Sequence, residues 1–136
     1  MSEAIVTQNG IADAPAVLVV EDEAIIRMML VDELDDAGIP VIEAEGADEA
    51  VAIMSNGASI RAVVTDVRMP GTMDGLGLAA WMRHRAPDIP IIITSGLATQ
   101  LDCAAINPAI TGVVSKPYRP EDVASLVTAL LTRLVS

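Results

Sequence analysis

AVVTDVRMPGTMDG, residues 62–75, is an apolar β-branched run that stops at a carboxylate and then breaks into turn residues. Short apolar runs bounded by Pro and Gly read as buried strands. Asp66 therefore stands at the carboxyl end of a strand, where open parallel sheets hold their ligands. For a lone Asp at such a place, a strand-end or turn cap is the favoured reading. Three other strand ends in the chain tip the balance towards chemistry.

The first apolar run, Ala16–Val20, ends in Glu21-Asp22-Glu23. Ile25, Ile26, Met29, Leu30, Leu34 and Ala37 then recur at helical spacing, with acids at the start and Gly38 as the stop. Val41-Ile42 predicts a second strand, and 47–54 a second helix ending near Asn56-Gly57. Beyond the opening stretch lies a third helix over 76–85, with Leu76, Ala79 and Met82 on one face and Trp81 on another, partly exposed. Ile91-Ile92-Ile93 runs into Thr94-Ser95-Gly96, and 97–107 is a weak, Ala-rich helix. A fifth strand over 110–114, interrupted by Gly112, reaches Ser115-Lys116-Pro117. Residues 121–134 then carry a near-regular helical stripe, with Pro120 at the first turn. Five strand–helix alternations with short connections imply right-handed crossovers. The expected fold is α/β, a three-layer doubly wound sheet of five parallel strands in the flavodoxin-like order 2-1-3-4-5.

Composition narrows the possibilities. A chain of 136 residues suits one domain, and such a domain buries roughly two-thirds of its unfolded surface. With no Phe, one Trp and one Tyr, the core must be aliphatic. One Cys excludes an internal disulfide and points to a reducing, cytoplasmic setting. The net charge of −11 would repel a phosphate backbone. No apolar run is long enough to span a membrane. Residues 1–15 lack a signal peptide's basic and hydrophobic regions and read as a flexible leader. His84, Cys103 and the Met28-Met29 pair read as a solvated helix end, a small packed residue and core filling.

In the expected sheet, strands 1, 3, 4 and 5 deliver Glu21-Asp22, Asp66, Thr94-Ser95 and Lys116 to one edge. Crowded carboxylates repel unless a cation sits among them. An all-oxygen set favours Mg²⁺, bound through one or two carboxylates and phosphate oxygens. A Lys and a hydroxyl nearby suit phosphoryl oxygens, so Asp66 reads as a nucleophile towards phosphorus.

The stretches VLVVEDE, VVTDVRMPG with its following DG, IIITSG and VVSKPY resemble bacterial response regulator receiver domains of the CheY-like kind. The match covers about residues 16–134, with all four motifs in the family's order. It implies a phosphorylation-dependent switch of a two-component system. Asp66 would accept the phosphoryl group, with Asp22, Asp66 and the Arg68 backbone carbonyl holding Mg²⁺ and Glu21 an acid behind them. Lys116 would contact the phosphoryl oxygen, Thr94 would hydrogen-bond it, and Ser95 would neighbour it. The Lys116–Pro117 peptide would be cis. A histidine kinase or histidine phosphotransfer protein would be the donor, with output to an unknown protein target through the surface of helix 4, strand 5 and helix 5. The protein would be cytoplasmic, a monomer or a weak phosphorylation-dependent dimer, and bind neither nucleic acid nor membrane. It would not be a turnover enzyme. A receiver over 16–134 leaves no room for an output domain in this chain; a phosphoryl shuttle or sink, or a receiver cut from a longer regulator, is the alternative.

Three positions depart from the family pattern. Thr72 is an extra residue in the loop from Pro70 to Asp74. Val113 stands three residues before Lys116, where many members carry an aromatic that rotates on activation. Gly96 lacks a side chain that often screens the acyl phosphate. Other classes fit less well. A haloacid-dehalogenase-type phosphatase needs a second Asp where Arg68 stands, and a flavodoxin's first loop must cradle phosphate, which Glu21-Asp22-Glu23 would repel. A degenerate scaffold would not keep every charge.

Overall fold

The computed structural model describes residues 14–96 and 103–135. Five strands, β1 (Ala16–Val20), β2 (Val41–Ala44), β3 (Ile60–Asp66), β4 (Ile91–Ser95) and β5 (Ile110–Ser115), alternate with five helices. These are α1 (Ala24–Asp36), α2 (Ala47–Ser55), α3 (Gly75–Arg85), α4 (Cys103–Ile106) and α5 (Pro120–Val135). The sheet order is β2-β1-β3-β4-β5, and every pairing is parallel. The expected leader and the helix expected over 97–107 lie outside the described residues, apart from Ala14, Pro15 and the α4 turn ending at Asn107. Among the described residues no helix is long and apolar enough to cross a membrane.

β1, β3 and β4 carry near-continuous apolar runs because both faces of the sheet are covered. Val17, Val19, Val64 and Ile92 pack on one side with Leu30 and Leu34 of α1 and Val123 and Val127 of α5. Leu18, Val20, Val63 and Ile93 pack on the other with Ala50 of α2 and Leu78 and Met82 of α3. Adjacent residues of one strand thus serve opposite cores, as a period of two requires.

Two details differ from the sequence reading. Ile25, Met28 and Met29 are exposed at 71%, 55% and 47%, so they do not fill the core. The apolar residues of α1 spread over more of its circumference than the sheet and α5 can cover, and Leu30 and Leu34 take the covered stripe. On α3 the buried stripe is Gly75, Leu78, Ala79 and Met82, with Leu76 half-buried beside it. β5 continues past Gly112, and the interruption expected there is a register shift, with Ile110 opposite Ile91 and Gly112 opposite Ile92. A Cβ at Gly112 would come within 3.0 Å of Leu126 Cδ2, so the bare glycine lets α5 close on the strand. Trp81 is half-buried as expected, with the Arg85 guanidinium 5.9 Å from its ring centre.

Asn107, unremarked in the sequence, ties α4 into the fold. It is buried; its Nδ2 donates to Ala79 O at 2.9 Å, and its Oδ1 accepts from Ala109 N at 2.8 Å. Removing both bonds strands buried partners, which costs about 2 kcal/mol or more. Asn107→Ala is expected to lower the melting temperature by roughly 5–10 °C. A loss no larger than that of an exposed substitution, about 0.5 kcal/mol, would contradict this role.

Candidate acidic site at the strand ends

The carboxyl ends of β1, β3, β4 and β5 meet at one rim of the sheet. Asp66 closes β3 and pairs in register with Thr94 of β4. There β3 ends: Val67 N donates to Thr94 O at 3.1 Å, and the chain turns away. Lys116 follows β5, with its backbone N donating to Ser95 O at 2.9 Å. Its Nζ donates to Asp66 Oδ2 at 2.8 Å and lies 3.8 Å from Glu21 Oε1. The Lys116–Pro117 peptide is cis. One carboxylate oxygen from each of Glu21, Asp22 and Asp66 lies within 4.8 Å of the others. Glu21 and Asp66 are buried and Asp22 is exposed.

Above these groups opens a mouth of about 440 Å³ lined by Asp22, Glu23, Asp66, Arg68, Ser95, Gly96 and Lys116. The candidates Asp22, Asp66, Arg68, Ser95 and Lys116 therefore share one pocket. Glu21 sits beneath it and Thr94 is buried beside Asp66. Thr72, the extra loop residue, hydrogen-bonds Asp48 of α2 through its Oγ1 at 3.4 Å, so the lengthened loop is tethered away from the mouth.

Arg27, which sequence reasoning passed over, and Gly75, read there only as a turn residue, shape this rim. Arg27 donates from Nη1 to Glu21 O at 2.7 Å and from Nε to Glu43 Oε1 at 3.1 Å, pinning the acidic turn. A lone cation four residues after the end of the acid cluster was the available signal. Gly75 donates its N–H to Val67 O at 2.8 Å, bringing the start of α3 against the Asp66 strand end. Its cue was the Asp-Gly pair, since Asp74 caps α3 by accepting from Gly77 N at 2.8 Å.

Burial pushes the Glu21 carboxyl up to about 7, with Asp66 adding to the shift and the Glu23 amide and Lys116 opposing it. For Lys116, burial alone would lower the ammonium's pKa, but the bond to Asp66 and the charges of Asp66, Glu21 and Glu23 hold it above the ordinary lysine range. Among the described residues Glu21 Oε1, buried and 3.8 Å from Lys116 Nζ, accepts no hydrogen bond. Crowded hard oxygens beside an open mouth with room for water suit a small divalent cation. The residues present fit such an ion.

The raised Glu21 pKa sets a pH dependence. A carboxyl that ionises near 7 when folded and near 4.5 when unfolded gives stability that is complete below about 4.5 and lost as pH rises through about 7. The shift corresponds to roughly 3 kcal/mol. With EDTA present, Glu21→Gln is expected to melt progressively above wild type between about pH 5 and about pH 8, the gap widening by on the order of 10 °C. A gap of constant size would show that Glu21 does not ionise in this range.

A doubly wound parallel sheet with an acid trio, a buried hydroxyl and a lysine at its strand ends defines a carboxylate-centred α/β domain. The chain belongs to the response regulator receiver domain family, whose model matches residues 17–128. It is 37% identical over 129 residues to the sensor kinase CckA of Brucella abortus, covering 92% of this chain and 13% of that protein. It is 31% identical over 128 residues to the transcriptional regulatory protein AruR of Pseudomonas aeruginosa, covering 90% and 52%. The chain thus spans about half, or less, of the length of these curated relatives. Among solved structures, the response regulator TrrA of Thermotoga maritima, in complex with Mg²⁺ and BeF, aligns with TM-score 0.73 and 28% identity over 86% of this chain and 99% of that one. A Francisella receiver domain aligns with TM-score 0.79 at 24% identity, covering 89% and 99%, and shares the fold.

Proposed function

We propose that this chain is a phosphorylation-dependent switch in which Asp66 is the phosphoacceptor, within a receiver domain over residues 16–134. The observation that carries this reading is the Lys116 ammonium seated on a buried Asp66 carboxylate at the floor of an open acidic mouth. An Asp66 oxygen attacks phosphorus, the bond from phosphorus to the donor's imidazole nitrogen breaks, and its electron pair leaves with the imidazole. Lys116 then faces a phosphoryl oxygen, and the Thr94 hydroxyl donates to another, with Ser95 alongside.

The ion we assign is Mg²⁺, which Asp22, Asp66 and the Arg68 carbonyl would hold, with Glu21 behind them. It would supply positive charge that offsets carboxylate repulsion and charge developing on the phosphoryl oxygens. A histidine kinase or phosphotransfer protein is the donor. Exposed Ile25, Met28 and Met29 on α1 support docking of a partner with an apolar face. Output passes through α4, β5 and α5 to a protein target in the cytoplasm. Neither step needs nucleic acid or repeated turnover.

Incubation with Mg²⁺ and acetyl phosphate, followed by intact mass, tests this reading. One phosphoryl adduct is expected, absent with EDTA and in Asp66→Asn. Asp22→Ala is expected to lose the Mg²⁺-dependent rise in melting temperature. An equal adduct in Asp66→Asn would overturn the assignment.

A further inference from the structure

Arg27 enters the acidic rim from the first turn of α1, with a side chain that is only 14% exposed. Its Nη1 donates to Glu21 O at 2.7 Å and its Nε to Glu43 Oε1 at 3.1 Å, so one planar group ties the residue after β1 to β2. The β2 edge holds that residue from its other side, where Glu21 N donates to Ala44 O at 3.0 Å. Further along, Glu23 N donates to Glu21 Oε2 at 3.1 Å. The Glu23 side chain, at the N-cap of α1, caps no amide among the described residues. The turn is therefore held at Glu21, and the Glu21 carbonyl hangs on the guanidinium.

That carbonyl belongs to the peptide that carries Asp22. Asp22 is exposed, yet one of its carboxylate oxygens lies within 4.8 Å of oxygens from Glu21 and Asp66. A rotation of the Glu21–Asp22 peptide would swing that carboxylate away from Asp66. Arg27 also works against a metal ion, because a second positive charge near the acids repels it. Its two effects on a cation therefore have opposite signs, charge weakening binding and geometry strengthening it. Groups that orient metal ligands from behind matter by about 10–100-fold in affinity, whereas a charge beyond contact range is screened by solvent and salt. Geometry wins.

We propose that Arg27 is a positioning residue for the cation site, holding the Glu21–Asp22 peptide so that the Asp22 carboxylate stands opposite Asp66. Planarity suits the task. Nε and Nη1 project in fixed directions towards two acceptors, which an ammonium on a flexible stem cannot match. Glu43 sets the plane of the guanidinium from β2, so cation affinity depends on an edge-strand residue outside the acid cluster.

Arg27 in this role presupposes the Mg²⁺ and Asp66 assignments proposed above, and separate arms test them. The full chain and its Arg27→Lys, Arg27→Met and Glu43→Gln variants are titrated with MgCl₂ at constant ionic strength, followed by the amide chemical shifts of Asp22 and Asp66. Melting temperatures in EDTA report the fold, and acetyl phosphate reports the adduct by mass. Both Arg27 variants are expected to bind Mg²⁺ about tenfold or more weakly, and Glu43→Gln to move less in the same direction. Adduct formation at low Mg²⁺ should fall with affinity and recover when Mg²⁺ is saturating. Arg27→Lys keeps the charge, so a loss shared by both Arg27 variants is one of geometry. Tighter binding by Arg27→Met with unchanged binding by Arg27→Lys would show that the guanidinium acts only as a charge. Lower melting in EDTA with unchanged Mg²⁺ affinity would leave it a structural tie. Either result overturns the positioning role and leaves Asp66 in its own. A wild-type chain that binds Mg²⁺ without forming an adduct would overturn the phosphoacceptor reading but not the part played by Arg27. One that binds no Mg²⁺ would overturn the ion assignment and the positioning role together.

Discussion

Gly75→Ala is expected to destabilise the fold by about 3 kcal/mol or more and to slow adduct formation on Asp66 at least about tenfold. The reason is room, not backbone conformation. A Cβ at Gly75 would lie 1.9 Å from the Asp66 carbonyl oxygen, 2.8 Å from its carbon and 3.0 Å from Val67 Cα. All three are backbone atoms, so no rotamer change relieves the clash. The start of α3 would have to move off the end of β3, breaking the bond from Gly75 N to Val67 O. Leu78 and Met82 would be dragged out of a close-packed core. Because the clash falls on Asp66 itself, stability and phosphorylation fail together.

Gly77→Ala is the control, two residues along the same helix. Its Cβ would meet the Met73 side chain at 2.9 Å. A methionine can swing aside, and alanine is the better helix former by about 1 kcal/mol. Near-wild-type melting is expected there. Equal melting temperatures for Gly75→Ala and Gly77→Ala would show that the close approach at Asp66 is not what holds α3 in place.

These two glycines illustrate what the sequence tells and what it withholds. Strands buried on both faces announce themselves: AVLVV, AVVTD and IIITS leave little choice, and their order follows from alternation with helices. The site was legible for the same reason, since each polar residue stands where an apolar run stops. Helix faces were less legible. Periodicity marks Ile25, Met29, Leu30 and Leu34 alike as apolar, but only the sheet and α5 decide that the last two are covered. Leu78 over Leu76 is the same uncertainty on α3. Contacts between distant residues leave no local trace. The bond from Asn107 to Ala79 spans 28 residues, and the approach of Gly75 to Asp66 depends on where a loop returns. The Glu21-Asp22 pair likewise does not say which acid is buried, and that difference gives Glu21 its raised pKa.

Lys116→Met is expected to lower stability in EDTA at about pH 8 by roughly 3 kcal/mol, the lower end of the range for stranding a buried charge. The lower end applies because the Lys116 side chain keeps 25% of its surface in water. Methionine fills similar space and leaves the bond from the residue 116 backbone N to Ser95 O intact. What is lost is the cation 2.8 Å from Asp66 and 3.8 Å from Glu21, leaving two buried carboxylates facing each other. Two conditions should shrink the deficit. Lowering the pH to about 5 protonates Glu21, whose carboxyl stands at about 7 with Lys116 present and is pushed higher when the ammonium is lost, and removes one of the opposed charges. Saturating Mg²⁺ should do the same at about pH 8, because a cation among the acids replaces the missing ammonium. By the same logic the variant should bind Mg²⁺ more tightly than wild type, by on the order of tenfold, since the competing charge is gone. Melting curves at both pH values, with EDTA and with Mg²⁺, decide the matter. A deficit identical in all four conditions would mean that Lys116 only packs against its neighbours, and that its ammonium does not balance the acids on which the phosphoacceptor reading depends.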